Sequence, residues 1–193
     1  MADNPLILTF DIGTQSARAM LVDARGEVLA KAQKHFEKPY HSPQPGWAEQ
    51  DPDFYWNMIC ETSRSLKEQN EGLWKDVAAV TCACIRATTI CLDAENKPLR
   101  PAIVWLDKRK AENLPPLPAL NRAAFAAAGM KDAVETIRGN MACNWIAANQ
   151  PEVWAKTAKF VLLSAYLNLR FCGELVDSTA NTVGVLPFDT RRG

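Results

Sequence analysis

The sequence predicts an α/β fold in which a mixed β-sheet is flanked by helices. Three observations carry this reading: three strand-like runs separated by tight turns at the start, an amphipathic helix with clear start signals, and short small-residue apolar runs further on. With 193 residues, 48% of them hydrophobic, the chain can bury a core of ordinary domain size. Its 22 basic and 22 acidic side chains balance, which removes the electrostatic case for a nucleic-acid or anionic-membrane partner. No apolar run approaches the roughly 20 residues that span a bilayer, and the first five residues lack a basic signal-peptide region, so a cytoplasmic protein is expected.

Leu6 to Ile12 is a continuous apolar run and reads as a strand covered on both faces. Ala17 to Asp23 follows, and Ala24-Arg25-Gly26-Glu27 turns the chain into Val28 to Phe36, which completes an antiparallel meander. Pro39 to Asp51 holds three prolines and a glycine and must be a loop. Asp51 then serves as N-cap with Pro52 at the first helical position and Asp53 where the helix dipole favours negative charge. Tyr55, Met58, Ile59, Thr62 and Leu66 recur at helical spacing.

Val77 to Ile85 reads as a buried strand and Thr89 to Asp93 as another, joined through the turn Ala94 to Pro98 to a strand at Ala102 to Trp105. Lys108 to Asn140 is expected to be an excursion with one short helix. Ala142 to Asn149 predicts a helical turn or two, and Pro151 opens a longer helix closed by Gly173, with Trp154, Ala158, Val161, Leu162, Ala165, Leu169 and Phe171 as its apolar stripe. The six cysteines form no Cys-x-x-Cys pair and have only two histidines to join them, so they read as buried reduced thiols.

The first turn carries chemistry. Gly13 permits an unusual φ and a close approach to the backbone, and the N–H groups of Gly13 to Ser16 can converge on an anion. Thr14 and Ser16 add hydroxyls, and Arg18 a guanidinium suited to phosphate oxygens. A carboxylate at Asp11 would repel that anion unless a cation stood between them, which makes sense if magnesium accompanies a nucleotide, held through its waters. No Gly-Lys-Ser/Thr follows, so this is not a Walker A loop. The plain alternative is a hairpin in which Asp11 only accepts turn N–H bonds.

Four stretches in order resemble the FGGY family of carbohydrate kinases, which includes xylulose, ribulose, gluconate and glycerol kinases. They are Asp11 to Ala30 (phosphate hairpin), Pro45 to Trp56 (Gly-Trp-x-Glu-x-Asp-Pro), Leu92 to Arg109 (a hairpin ending in Trp-x-Asp-x-Arg) and Gly173 to Thr190 (Gly-x-x-x-Asp-x-x-x-Ala). The resemblance implies a ribonuclease-H-like fold, shared with actin and hexokinase, in which two lobes close over ATP. It implies that residues 1–193 are an incomplete first lobe, that the C-terminal lobe with its adenine pocket is absent, and that the aspartate taking the hydroxyl proton lies beyond residue 193, so that no catalytic residue is present and the chain alone is inactive.

Carried over by position, the resemblance implies that Asp11 holds hydrated Mg2+ and that Gly13, Thr14, Gln15, Ser16 and Arg18 face the terminal phosphates of ATP. Arg86, Trp105 and Asp107 fall on the sugar or polyol pocket, and Ala87 stands where glycerol kinases carry glutamate and xylulose kinases histidine. A tryptophan face suits the C–H side of a sugar. Structural roles stay open beside these: Trp105 as core, Asp107 as a turn cap, Arg86 as an ion-pair partner, and Trp47 and Glu49 as braces of their loop. The expected activity is ATP-dependent phosphorylation of a sugar or polyol hydroxyl, with a homodimer left open for the full-length protein. The alternative is a non-catalytic actin-like or sugar-responsive protein of the same fold. The particular sugar and the hydroxyl phosphorylated are not identified.

Overall fold

The computed structural model describes residues 4–182. The opening meander is present as β1 (Leu6–Ile12), β2 (Ser16–Val22) and β3 (Val28–His35), joined on the far side of β1 by the parallel β5 (Val77–Cys84) in the order β3-β2-β1-β5. Along β1 the residues Leu6, Leu8, Phe10 and Ile12 are buried whereas Ile7 is 40% exposed. Coverage on both faces is therefore corrected: among the described residues the helices pack on one side, and burial alternates with the strand period of two. The same correction applies to β5, where Val80 is 51% exposed because the strand is the edge of its sheet and has β1 as its single neighbour among the described residues.

A second, antiparallel sheet holds β4 (Glu49–Gln50), β7 (Ala102–Ile103), β6 (Thr89–Leu92) and β8 (Lys159–Leu162) in the order β4-β7-β6-β8. All four residues of β6 are buried. The turn after it is built as expected, with the Asp93 carboxylate accepting from Lys97 N at 2.8 Å and Asn96 at φ 65°.

Helix α1 (Pro52–Gln69) follows its start signals: the Asp51 side chain accepts from Asp53 N at 2.9 Å, and Pro52 occupies the first turn. Tyr55, Ile59, Thr62 and Leu66 are buried against the first sheet while Met58 is half-buried. One turn, α2 (Glu71–Trp74), leads to β5. The excursion contains two helices, α3 (Ala119–Ala127) and α4 (Lys131–Asn140), where one was expected; Gly129 at φ 68° separates them. Helix α5 (Ala142–Asn149) is as predicted.

The long helix from Pro151 to Gly173 is corrected. It is broken into α6 (Pro151–Lys156), β8 and α7 (Leu163–Cys172), followed by the single turn α8 (Thr179–Thr182). Phe160 and Val161 suit a strand as well as a helix, and the open edge of β6 offers backbone partners, pairing Ile90 with Val161 and Thr89 with Leu162. Gly173, at φ 80°, ends α7 in the left-handed conformation as expected. The part of the fourth motif from 183 to 190 lies outside the described residues.

One hydrophobic core joins both sheets, uniting Leu6, Phe10 and Leu21 with Tyr55, Ile59 and Leu66 of α1, Ile90 and Leu92 of β6, and Leu163, Tyr166 and Leu167 of α7. Its rim is closed by Asp53, which accepts from Tyr166 Oη at 2.6 Å and pairs with Arg170; burial, with that bond to Asp53, pushes Tyr166 up to about 12. The cysteines are free, with Cys91 and Cys143 buried, Cys60, Cys82 and Cys84 half-buried, and Cys172 exposed against expectation. Burial pushes the Cys82 and Cys84 thiols up to about 12. No group of three or more histidine, cysteine or acidic side chains able to hold a metal occurs among the described residues, and no described helix is long and apolar enough to cross a membrane. Replacing Asp51 with Ala should lower stability by about 1 kcal/mol, read as a shift in urea midpoint at unchanged m-value.

Candidate functional site

The β1–β2 turn places its polar groups at one end of the first sheet. Asp11 and Arg18 are register partners, and Arg18 Nη1 donates to Asp11 Oδ2 at 2.6 Å with both side chains nearly half exposed. Gly13 N donates to Ser16 O at 2.9 Å and closes the turn, so it is not free to meet an anion. The backbone N–H groups of Thr14 and Gln15 donate to no carbonyl among the described residues. Gly13 does not have a positive φ, which corrects the expected reason for a glycine here; a Cβ at this position would meet Ser16 O at 3.4 Å. Ser16 is buried, and its Oγ accepts from Gln33 at 3.2 Å. It therefore braces the hairpin from within.

Beside this turn lies a cavity of about 290 Å³, walled by Trp105, Asp107 and Arg109 on one side and Ile137, Asn140 and Met141 on the other, with Ala87 and Thr89 at its floor. Trp105 is 53% exposed, so it is wall and not core. Its indole Nε1–H donates to Thr14 Oγ1 at 3.0 Å, which joins the cavity to the hairpin. The Thr89 hydroxyl, like that of Thr88, is buried out of contact with solvent and has no hydrogen-bond partner among the described residues. Ala87 adopts φ 58°, a left-handed conformation that alanine takes at some cost. Arg86 is exposed, does not line the cavity, and has no ion pair or hydrogen bond among the described residues.

Asp107 is in the wall, but its carboxylate is heavily used. Oδ1 accepts from the Arg109 backbone at 2.9 Å and from Arg109 Nε at 2.8 Å, and Oδ2 from Ala48 N at 2.6 Å and Arg109 Nη2 at 2.7 Å. Arg109 is 2% exposed and contacts Glu49 Oε1 at 2.8 Å. Its guanidinium lies 3.9 Å from the Trp47 ring centroid and 4.6 Å from that of Trp145, which pack edge to face. Arg100 pairs with the same Glu49; burial draws the Arg100 guanidinium below its ordinary value, and Glu49 opposes the shift. Trp47 and Glu49 thus brace their loop, as their positions suggested.

The structure brings Thr14 of the hairpin and Trp105 into contact, leaves Arg86 apart from the cavity, and adds Thr89, Ile137, Asn140 and Arg109, which the sequence reading does not single out as site residues. Arg109 was visible as the last residue of the Trp-x-Asp-x-Arg run. Its partner Trp145, on an apolar helix, carried no such signal.

Two parallel strands ending at a polar turn, with a walled cavity alongside, make an α/β protein, and the solved structures give it the actin/hexokinase-like fold. A xylulose kinase from Brucella ovis superposes at TM-score 0.74 with 25% identity, covering 93% of this chain and 36% of that one. The Plasmodium falciparum glycerol kinase with ADP superposes at TM-score 0.69 with 21% identity, covering 97% of this chain and 38% of that one, a likeness of fold. The model of the FGGY family of carbohydrate kinases, N-terminal domain, matches residues 6–191, and the chain belongs to that family. Among curated relatives, glycerol kinase from Rhodospirillum centenum is 37% identical over 140 residues, 72% of this chain and 26% of that protein. Xylulose kinase from Escherichia coli is 27% identical over 195 residues, 97% of this chain and 37% of that protein. The chain therefore spans between a quarter and two fifths of the length of these relatives.

The Arg109 network makes a direct prediction. Arg109→Met leaves Glu49 and Asp107 buried beside a side chain that cannot donate, and should cost about 3–5 kcal/mol in urea-unfolding stability, far more than Arg18→Met at the exposed pair.

Proposed function

We propose that this chain forms most of the first lobe of an ATP-dependent kinase that phosphorylates a hydroxyl of a neutral sugar or polyol in the cytoplasm. The observation that carries the reading is the 3.0 Å bond from Trp105 to Thr14, which puts a tryptophan-walled cavity next to a turn rich in donors. A hydroxyl held in that cavity lies beside the place where a terminal phosphate would be received. The cavity's two charged groups, Asp107 and Arg109, neutralise each other, so it offers no unpaired charge to a carboxylated substrate and favours an uncharged one.

The residues present fit a magnesium nucleotide. Asp11 keeps an exposed carboxylate with one oxygen free of the Arg18 pair, suited to water-mediated magnesium. The free Thr14 and Gln15 N–H groups and the Thr14 hydroxyl would meet phosphate oxygens, and Arg18 is close enough to share the charge. Bound there, magnesium would neutralise charge on the transferring group. Trp105 would position the acceptor by stacking. On this reading the second lobe of a ribonuclease-H-like pair supplies the adenine site and the aspartate base, and residues 1–193 alone do not turn over.

The test is turnover by the full-length protein with Mg-ATP and a panel of polyols, pentuloses and hexonates, read as ADP release. Neutral acceptors should be preferred over hexonates, and Asp11→Ala should lower kcat on the order of 100-fold or more while leaving the folded state intact. Undiminished turnover in that variant rejects the reading. No turnover with any acceptor, together with nucleotide-dependent polymers on pelleting, would favour a non-catalytic protein of the same fold.

A further inference from the structure

We infer that Trp105 is a positioning residue that couples the acceptor cavity to the phosphate turn, so that occupation of either site tightens the other. The inference rests on the kinase reading above and adds a route of communication within it. Thr14 and Trp105 are 91 residues apart in sequence and meet through one hydrogen bond of 3.0 Å. An indole that is 53% exposed could have given its N–H to water. It is directed instead at a hydroxyl in the phosphate turn.

The two sides of this bond are anchored very differently. Trp105 follows Val104, whose N–H donates to Ala48 O at 2.9 Å, and precedes Asp107, whose N–H donates to Val104 O at 2.9 Å and whose carboxylate is locked by Arg109. The turn is tied on either side of Thr14, by Gly13 N to Ser16 O within it, Phe36 N to Gln15 O at 2.8 Å behind it and Gln33 Nε2 to Ser16 Oγ at 3.2 Å, and none of these bonds involves Thr14. At Thr14 itself the tryptophan supplies the side-chain bond. The rigid partner therefore orients the less constrained one.

The hydroxyl chemistry gives that orientation a direction. A threonine Oγ can accept two bonds and donate one. By accepting from the indole N–H, Thr14 keeps its own proton available to an anionic oxygen. A sugar stacked on the Trp105 face restricts the ring, strengthens the bond to Thr14 and fixes the hydroxyl for a phosphate. By linkage, a phosphate held by Thr14 must return the same factor to the sugar. A single neutral hydrogen bond sets the scale, roughly three- to tenfold in affinity.

The experiment is calorimetric titration of the full-length protein with adenylyl-imidodiphosphate and magnesium, with and without saturating glycerol or D-xylulose, and the reciprocal titration. Wild type should show the same three- to tenfold factor in both directions. Trp105→Phe keeps an aromatic face and loses the donor; whatever its affinity for glycerol or D-xylulose alone, the ratio of that affinity with and without nucleotide should fall to about one. Thr14→Val should do the same, Thr14→Ser should retain the factor, and the Trp105→Phe/Thr14→Val pair should be no more uncoupled than either alone. A factor that survives in Trp105→Phe overturns the inference and leaves the kinase reading standing, as does one lost only in proportion to sugar affinity. Wild-type protein that binds neither sugar nor nucleotide overturns both.

Discussion

The fold around the cavity depends on the burial of one guanidinium. Arg109 has given up water almost entirely, and a desolvated cation is tolerable only if its surroundings return what hydration supplied. Two indole faces and two carboxylates do so, drawn from three pieces of chain: Trp47 and Glu49 from the proline-rich loop, Asp107 from the strand end, Trp145 from α5. Arg100 balances the second acid, so the cluster of Glu49, Asp107, Arg100 and Arg109 is neutral as a whole. This accounts for a β4 of only two residues. Glu49 is held there by its ion pairs and Gln50 by its amide, which donates to Lys38 O and accepts from Asp51 N, both at 2.9 Å, with pairing to β7 adding little length.

The exposed pair at the hairpin obeys a different rule. Asp11 and Arg18 are close, yet both remain in contact with solvent, where an ion pair contributes little to stability. Separating them costs little. A network that is expensive to disturb therefore forms the cavity wall, and a pair that is cheap to disturb stands at the end of the hairpin. Exchange of partners at Asp11 can occur without any loss of the architecture that Arg109 maintains.

The same division between local and distant causes decides what could be read from the sequence. The meander and α1 are specified by neighbours in the chain: a cap, a proline, a turn, a period. Residues 151–173 were misread because Phe160 and Val161 satisfy either period, and the deciding partner, the open edge of β6, lies nearly seventy residues earlier. The acid, hydroxyl and tryptophan of the site could be found because each sits in an ordered run with a recognisable pattern. Arg109 between two indoles could not, since nothing in a linear reading says that Trp47 and Trp145 face one another. Thr89 was hidden for a similar reason: an unpartnered hydroxyl is a property of its surroundings.

That cavity and turn are neighbours follows from strand direction. β1 and β5 run parallel, with Ile12 opposite Cys84, and Ile85 N donates to Ile12 O at 2.9 Å. Both strands therefore end at the same edge, the position where α/β sheets gather ligands. From that edge β1 folds back through Gly13 to Ser16 into β2. β5 instead leaves the first sheet and enters the second within four residues, and the left-handed backbone at Ala87 makes so short a passage possible. Arg86 is left facing solvent, while Thr88 and Thr89 go inward, with Leu163 N donating to Thr88 O at 2.9 Å to hold the crossing. The floor of the cavity is thus the point where one sheet hands the chain to the other. A residue without a Cβ would relieve the backbone at position 87, but it would also free the passage that sets where Thr89 lies, so the strain at Ala87 and the placement of the unpartnered hydroxyl are two consequences of one constraint.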